Sequence, residues 1–371
     1  MPTWFFNRRH YKVSHAATAR HCHTVVTPPR PVTDRHRFKP ASVTVVTLCL
    51  LLALLIVALA AGRVAISPAE IATLLWAKLS NTPHTLPATF DAVIFEIRAP
   101  RACAAVLIGA ALAAAGAVFQ NLFRNPLVSP DILGVSSGAA LGAVLAIFLG
   151  APIIAVQGAA FAGGLLAVVL VVVIGNGVRG QDPVLALILV GVVVGSLLGA
   201  GIAMVKYLAD PYNQLPAITF WLLGSLGALS QADLALAAPL FLIGLVPIVL
   251  LRWRINVLAL DEDEAAALGV NVRRLRLALI AAATLLAATA VAIAGIIGWI
   301  GLLVPHAARL LVGGEFARLL PLAMLLGGAF LLAVDTLARS MASIEIPPGV
   351  LTALIGAPLF LWLLAGKSAR P

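Results

Sequence analysis

Residues 184–207 read VLALILVGVVVGSLLGAGIAMVKY, and the first charge in the run is Lys206. A helix needs about 20 consecutive, mostly apolar residues to cross the hydrocarbon core of a bilayer, and this run meets that length unaided. Outward from it, nine further stretches meet or approach the same length: 43–61, 102–122, 132–149, 152–174, 232–251, 275–294, 296–312, 318–339 and 348–365. The stretch 296–312 is the least regular, because it carries Pro305, His306 and Arg309 and reads as broken or peripheral. Ten such segments predict an all-α, polytopic membrane protein. Composition agrees: of 371 residues 61% are hydrophobic and 11% charged, with a mean hydropathy of +1.05. Soluble chains carry about 25% charged residues, so a water-soluble fold is excluded, and disorder is excluded except locally. Thirty-one glycines beside 6% aromatics point to helices packed closely through small residues.

The apolar segments sit between two different kinds of polar sequence. Residues 1–42 hold Arg8, Arg9, Lys12, Arg20, Arg30, Arg35, Arg37 and Lys39 against Asp34, with Pro28, Pro29, Pro31 and Pro40. Such a tail cannot bury a core and is expected to be disordered and cytosolic. The segment 63–101 is polar enough to lie outside the membrane. Its Ser67-Pro68-Ala69-Glu70 opening predicts a surface helix over 68–79, with Ser67 as N-cap, Pro68 at the first position and Glu70 at the third. With the tail placed inside, cytosolic segments hold 19 Lys and Arg and outer segments hold 6. The positive-inside rule then puts both termini in the cytosol, residues 367–371 being the C-terminal end. The net charge of +10 is explained by the tail and inner loops and needs no nucleic acid.

The membrane segments carry almost no ionisable residues at their centres, whereas ion-coupled carriers usually hold such groups as relays. The energy source is therefore expected outside the chain. No nucleotide site is present: Gly366-Lys367-Ser368 ends like a phosphate loop, but position 361 is Leu where the loop needs Gly. Cys22, Cys49 and Cys103 are odd in number and far apart, which excludes a disulfide framework; His21-Cys22-His23 lacks a second ligand pair for a metal. No catalytic, cofactor or metal-binding residue is assigned. The informative connection is 252–276. Arg252 and Arg254 precede Asn256-Val257-Leu258-Ala259-Leu260; Asp261 to Glu264 open an Ala-rich stretch that Gly269 can end; Arg273, Arg274 and Arg276 follow. Two short helices with a tight turn would form a firm cytosolic protrusion for docking, against the plainer reading of a solvated loop.

Five ordered blocks link the chain to a known family. They are Arg98-Ala99-Pro100-Arg101 with Gly109-Ala110-Ala111-Leu112-Ala113, Gly116, Gln120, Arg124-Asn125-Pro126-Leu127, Pro130 and Leu133-Gly134; Trp221 to Leu226; Asn256 to Leu260 with Ala267-Leu268-Gly269-Val270; Gly301-Leu302, Val304-Pro305-His306 and Arg309; and Asp335, Ala338-Arg339, Glu345, Pro347, Gly349, Thr352-Ala353, Gly356, Pro358 and Phe360. Over about residues 43–366 the chain resembles the membrane permease subunits of type II ABC importers for iron–siderophore complexes, haem and vitamin B12. Asp261 stands where Gly is common in that family, and Glu315-Phe316 where Asp-His is common.

The resemblance implies a vitamin B12 importer permease-like fold with ten spans. The implied partners are a second permease subunit (the same chain or a similar one), two ATP-hydrolysing subunits and an extracytoplasmic substrate-binding protein, in the lipid of a bacterial inner membrane. It makes Val257, Leu258, Leu260, Ala267, Leu268, Gly269 and Val270 the ATPase coupling loop. It matches Arg98, Arg101 and Arg339 to arginines that meet acidic residues of the binding protein, the alternative being anchors that hold helix ends at the headgroups. It places the pathway along 184–207, where Gly195, Ser196 and Gly199 form either a smooth wall or a close helix contact. Arg124 to Leu127 reads as a turn, and His306 as a backbone-bonded histidine at a helix break rather than a substrate contact. The stretches 124–134 and 349–362 look closest to ferric citrate and other siderophore permeases, with haem and vitamin B12 as the other cargoes and an ion-coupled carrier as the competing class.

Overall fold

The computed structural model describes residues 40–62, 64–178, 182–259, 262–341 and 344–368. All regular structure among them is helical. The helices are α1 (Pro40–Ala60), α2 (Pro68–Ser80), α3 (Ala88–Leu122), α4 (Val135–Phe148), α5 (Ile153–Gly177), α6 (Pro183–Leu208), α7 (Gln214–Leu223), α8 (Gln231–Leu250), α9 (Val272–Ala294), α10 (Ile300–Val312), α11 (Phe316–Ser340) and α12 (Pro348–Ser368). Short helical turns at Pro130–Leu133, Arg252–Ile255, Asn256–Ala259 and Glu262–Ala267 join them.

Each of the ten expected segments coincides with a helix. Eight are long and apolar enough to cross a membrane, whereas α4 and α10, of 14 and 13 residues, are shorter. Two features differ from expectation. Helix α3 starts at Ala88 rather than 102, its first turns running through a π-helical stretch at Ala92–Arg98. Helix α7 was not expected, since ten residues fall far below a spanning length. The expected basic tail lies outside the described residues as far as position 39, and α1 already begins at Pro40, a residue suited to a first helical turn. The expected surface helix is α2, with the Ser67–Glu70 capping box formed in both directions.

Helices α3 and α9 are the centre of the molecule. In their most apolar stretches 78% and 72% of residues are buried, against 17–33% for α1, α5, α6, α8 and α12. Most residues in the apolar stretches of these outer helices are therefore not buried within the chain. Small residues set the closest approaches. A Cβ on Gly109 would strike the Gly327 backbone of α11, and one on Gly116 the Gly301 carbonyl of α10. Gly138 and Gly163 exclude each other's Cβ between α4 and α5 in the same way. The close packing through small residues that the composition pointed to is therefore present at Gly109 and Gly116. Pro305 has no N–H to bond the carbonyl four residues earlier, which is Gly301, the carbonyl lying against Gly116. Gln120 of α3 donates to the next carbonyl, Leu302, at 2.9 Å.

Candidate functional site

At one end of the bundle, α8 is followed by the helix Arg252–Ile255 and the turn Asn256–Ala259; the helix Glu262–Ala267 then leads toward α9. Two short helices were expected here, and two are present. Gly269 takes φ +75°, and the Gly269 and Val270 amides donate to Ala266 and Ala265 carbonyls at 2.9 and 3.1 Å, which ends the helix. Asn271 then caps α9, its side chain accepting from the Arg274 amide at 3.0 Å. The element is fixed from below by buried Ile255, Leu258 and Ala265. The Asn256 side chain also accepts from the Phe316 amide at 2.9 Å. Leu268 points away from this support with 63% of its surface exposed. Ala267 and Gly269 are exposed beside it, Val257 and Val270 are half-buried, and Leu260 lies outside the described residues. The element thus presents an exposed apolar side chain on a braced loop.

The opposite side gathers Arg98, Arg101 and Arg339, and all three turn inward. The C-terminal carbonyls of α1 have no helical donors, and two arginines from other helices supply them. Arg98 donates to Leu59 O (2.6 Å), Ala60 O (3.1 Å) and Val64 O (2.5 Å). Arg339 donates to Ala61 O at 2.6 Å and also to Ala58 O. Gly62, at φ +145°, permits the approach, because a Cβ there would lie 2.7 Å from an Arg98 nitrogen. Arg101 meets Asp335 through Nε (3.0 Å) and Nη2 (2.9 Å), and Glu345 through Nη1 (3.0 Å). Arg98 and Arg101 are only 6% and 7% exposed. The forks that would reach a binding protein are taken up by α1, α11 and Glu345. For Arg98 and Arg339 the acceptors are backbone carbonyls, which no residue type announces; for Arg101 they are Asp335 and Glu345, 234 and 244 residues away in sequence.

On α6, Gly195, Ser196 and Gly199 lie along one side. A Cβ on Gly199 would meet nothing within 4 Å, and one on Gly195 only the Ser137 hydroxyl. Within this chain the close-packing alternative fails there. Ser196 is exposed and returns its hydroxyl to Val192 O at 2.8 Å, so the surface is polar only in small measure. Gly191, one turn before Gly195, is packed: its Cβ position is filled by the Ile132 carbonyl. His306 is buried and meets the Phe360 ring edge to face at 5.9 Å, which makes it part of the α10–α12 contact. Among the described residues no group of acids, histidines and cysteines could hold a metal.

Residues 50–366 match the FecCD transport family. The molybdate import system permease protein of Haemophilus influenzae is 41% identical over 305 residues, 82% of this chain and 90% of that protein. The Fe(3+)-citrate import system permease protein of Bacillus subtilis is 40% identical over 344 residues, 91% of this chain and 99% of that protein. A solved metal-chelate type ABC transporter in an inward-facing conformation shares the fold with a TM-score of 0.79 at 38% identity, over 88% of this chain and 99% of its own. The coverage spans every helix from α1 to α12, and with it this chain belongs to the FecCD transport family, as a permease subunit of an ABC importer.

Proposed function

We propose that the protein imports a ferric siderophore, or a related iron complex, into the cytoplasm as one half of a permease pair. Two ATP-hydrolysing subunits sit beneath the pair, and a substrate-binding protein delivers cargo from outside. The observation that carries the cargo is kinship with the ferric citrate permease over 99% of that protein's length. The uncharged α6 surface at Gly195, Ser196 and Gly199 supports a wall that a bulky complex passes without being held. Relatives of similar identity are named for molybdate as well as ferric citrate. Cargo choice therefore rests on few residues of the permease, and much of it on the binding protein. The test is uptake of iron-55 as ferric citrate and as a ferric hydroxamate in a strain lacking this gene. Loss of iron uptake that returns with the gene is expected. Unchanged iron uptake with lost haem, cobalamin or molybdate uptake would replace iron as the cargo.

The element from 252 to 276 receives the ATPase. Leu268 is its exposed apolar tip, so Leu268→Asp removes the ATPase from the purified complex while the permease stays in the membrane. The purified permease alone hydrolyses no ATP, since it has no phosphate loop. Arg98, Arg101 and Arg339 serve within the permease, holding the outer ends of α1, α3 and α11 together.

A further inference from the structure

Arg124 follows the last turn of α3 at φ +48°, in the left-handed region where a side chain strains the backbone and glycine does not. The hydrogen bonds show why the turn needs that conformation. The Arg124 amide donates to Asn121 O at 3.2 Å and the Asn125 amide to Gln120 O at 3.1 Å. Together these close a Schellman motif, in which glycine is the favoured residue at this position. Arginine stands there instead, so its side chain has a use that the turn itself does not supply. That use is visible in the inner element: the Arg124 Nε donates to Leu258 O at 2.8 Å, across 134 residues of sequence. The same side chain lines a cavity of about 400 Å³, with Asp182 and Pro183 at the start of α6 and Val272 and Arg276 at the start of α9. Past the turn, the Ile132 carbonyl rests on Gly191 of α6, one helical turn before Gly195. The segment between α3 and α4 thus touches the inner element at its start, through Arg124 and Leu258, and α6 at its end, through Ile132 and Gly191.

We propose that Arg124 is a positioning residue that carries displacement of the 252–276 element into the α3–α4 turn and so to the α6 wall. The proposal rests on the reading of that element as the ATPase dock. Arg124→Gly separates this role from turn-making, because glycine keeps the Schellman motif and removes only the side chain. The measurement uses the permease–ATPase complex in lipid nanodiscs, with Cys22, Cys49 and Cys103 replaced and Ser196→Cys as a reporter. The rate of thiol labelling at 196 is compared with and without ATP. In the Arg124→Gly complex, the ATPase is expected to co-purify in normal amount and hydrolyse ATP, while the ATP-dependent change in labelling falls about tenfold, within the usual range of coupling between sites. An undiminished labelling change would overturn the proposal. So would loss of the ATPase from the Arg124→Gly complex, which would reduce Arg124 to a brace for the dock. Leu268→Asp tests the reading beneath: if that variant keeps its ATPase, the docking assignment fails, whatever Arg124 does.

Discussion

Asp335 is 1% exposed inside an apolar helix, and an ion so placed is tolerated only when paired and hydrogen-bonded. Arg101 meets both of its oxygens, and Arg339 lies 3.8 Å away, four residues along the same helix. Removing one partner of such a pair strands the other, at about 3–5 kcal/mol, whereas replacing both with apolar residues is often neutral. Arg101→Ala is therefore expected to lower the thermal unfolding temperature in detergent sharply, and Arg101→Leu with Asp335→Leu to recover most of the loss. A double variant no better than the single one would count against the pair. Arg339→Glu brings a second carboxylate to Asp335 and uncaps α1, so it should lower the amount of permease in the membrane; normal membrane levels with failed binding-protein association would return these arginines to docking. That Arg98, Arg101 and Arg339 share one end of the bundle was legible from the order of the apolar segments. Their partners were not: Arg98 bonds a carbonyl 39 residues back and Arg339 carbonyls 278 and 281 back, and only the packing of α1 against both α3 and α11 brings these together.

Elements were legible where the signal was local. Apolar runs marked ten segments, eight of them long helices, the Ser67–Glu70 capping box marked α2, and the acids and Gly269 marked the short helix Glu262–Ala267. Helix α7 escaped because its ten residues, with Pro216 inside, match neither a span nor a capped surface helix. The early start of α3 escaped because Glu96, Arg98 and Arg101 read as polar loop, while the fold buries both arginines against carbonyls and acids. Helix pairing depends on glycine, and Gly116 is a direct test. Its missing Cβ is occupied by the Gly301 carbonyl, so Gly116→Val must push α10 from α3. Overpacking of this kind costs about 1–3 kcal/mol, and a fall in unfolding temperature is expected, whereas Gly158→Val, with nothing within 4 Å, should be neutral. Helix α2 carries a pH dependence. The Ser67 amide and hydroxyl donate to the Glu70 carboxylate, each at 2.7 Å, and hold its pKa below the ordinary glutamate value. A carboxylate depressed on folding stabilises above its ordinary range, and the gain is lost as pH falls through the lowered value. Amide exchange in α2, corrected for intrinsic rates, should show protection falling at acid pH, and Glu70→Gln should remove that dependence.

At the scale of the whole molecule, orientation follows from the distribution of charge across helices whose count is even. If all ten segments cross, both ends of the chain share a side, and 19 of 25 Lys and Arg fall on the side of the termini. By the positive-inside rule that side is expected to be the cytosol. The 252–276 element, between α8 and α9, is then expected on the cytosolic side, as its proposed docking of the ATPase requires. Helix α2 and residues 82–87, between α1 and α3, face outward on the same count. Single cysteines in a background without Cys22, Cys49 and Cys103 separate this arrangement from its inverse. Leu86→Cys should react with an impermeant thiol reagent in intact spheroplasts, and Asp263→Cys only after lysis. A third reporter, Ile344→Cys, lies between α11 and α12 at a position 80% exposed, and it should label in intact cells alongside Leu86→Cys. The three together also test whether the short helices α4 and α10 cross. Position 86 follows α1 alone, so neither short helix affects it. Position 263 lies beyond α4 but before α10, and position 344 lies beyond both. If α4 failed to cross while the other helices did, positions 263 and 344 would both change sides, and intact cells would label 86 and 263. If α10 alone failed, only position 344 would change, and intact cells would label 86 by itself. Labelling of position 263 alone in intact cells would invert the whole chain, and either of the other two patterns would reduce the count below ten.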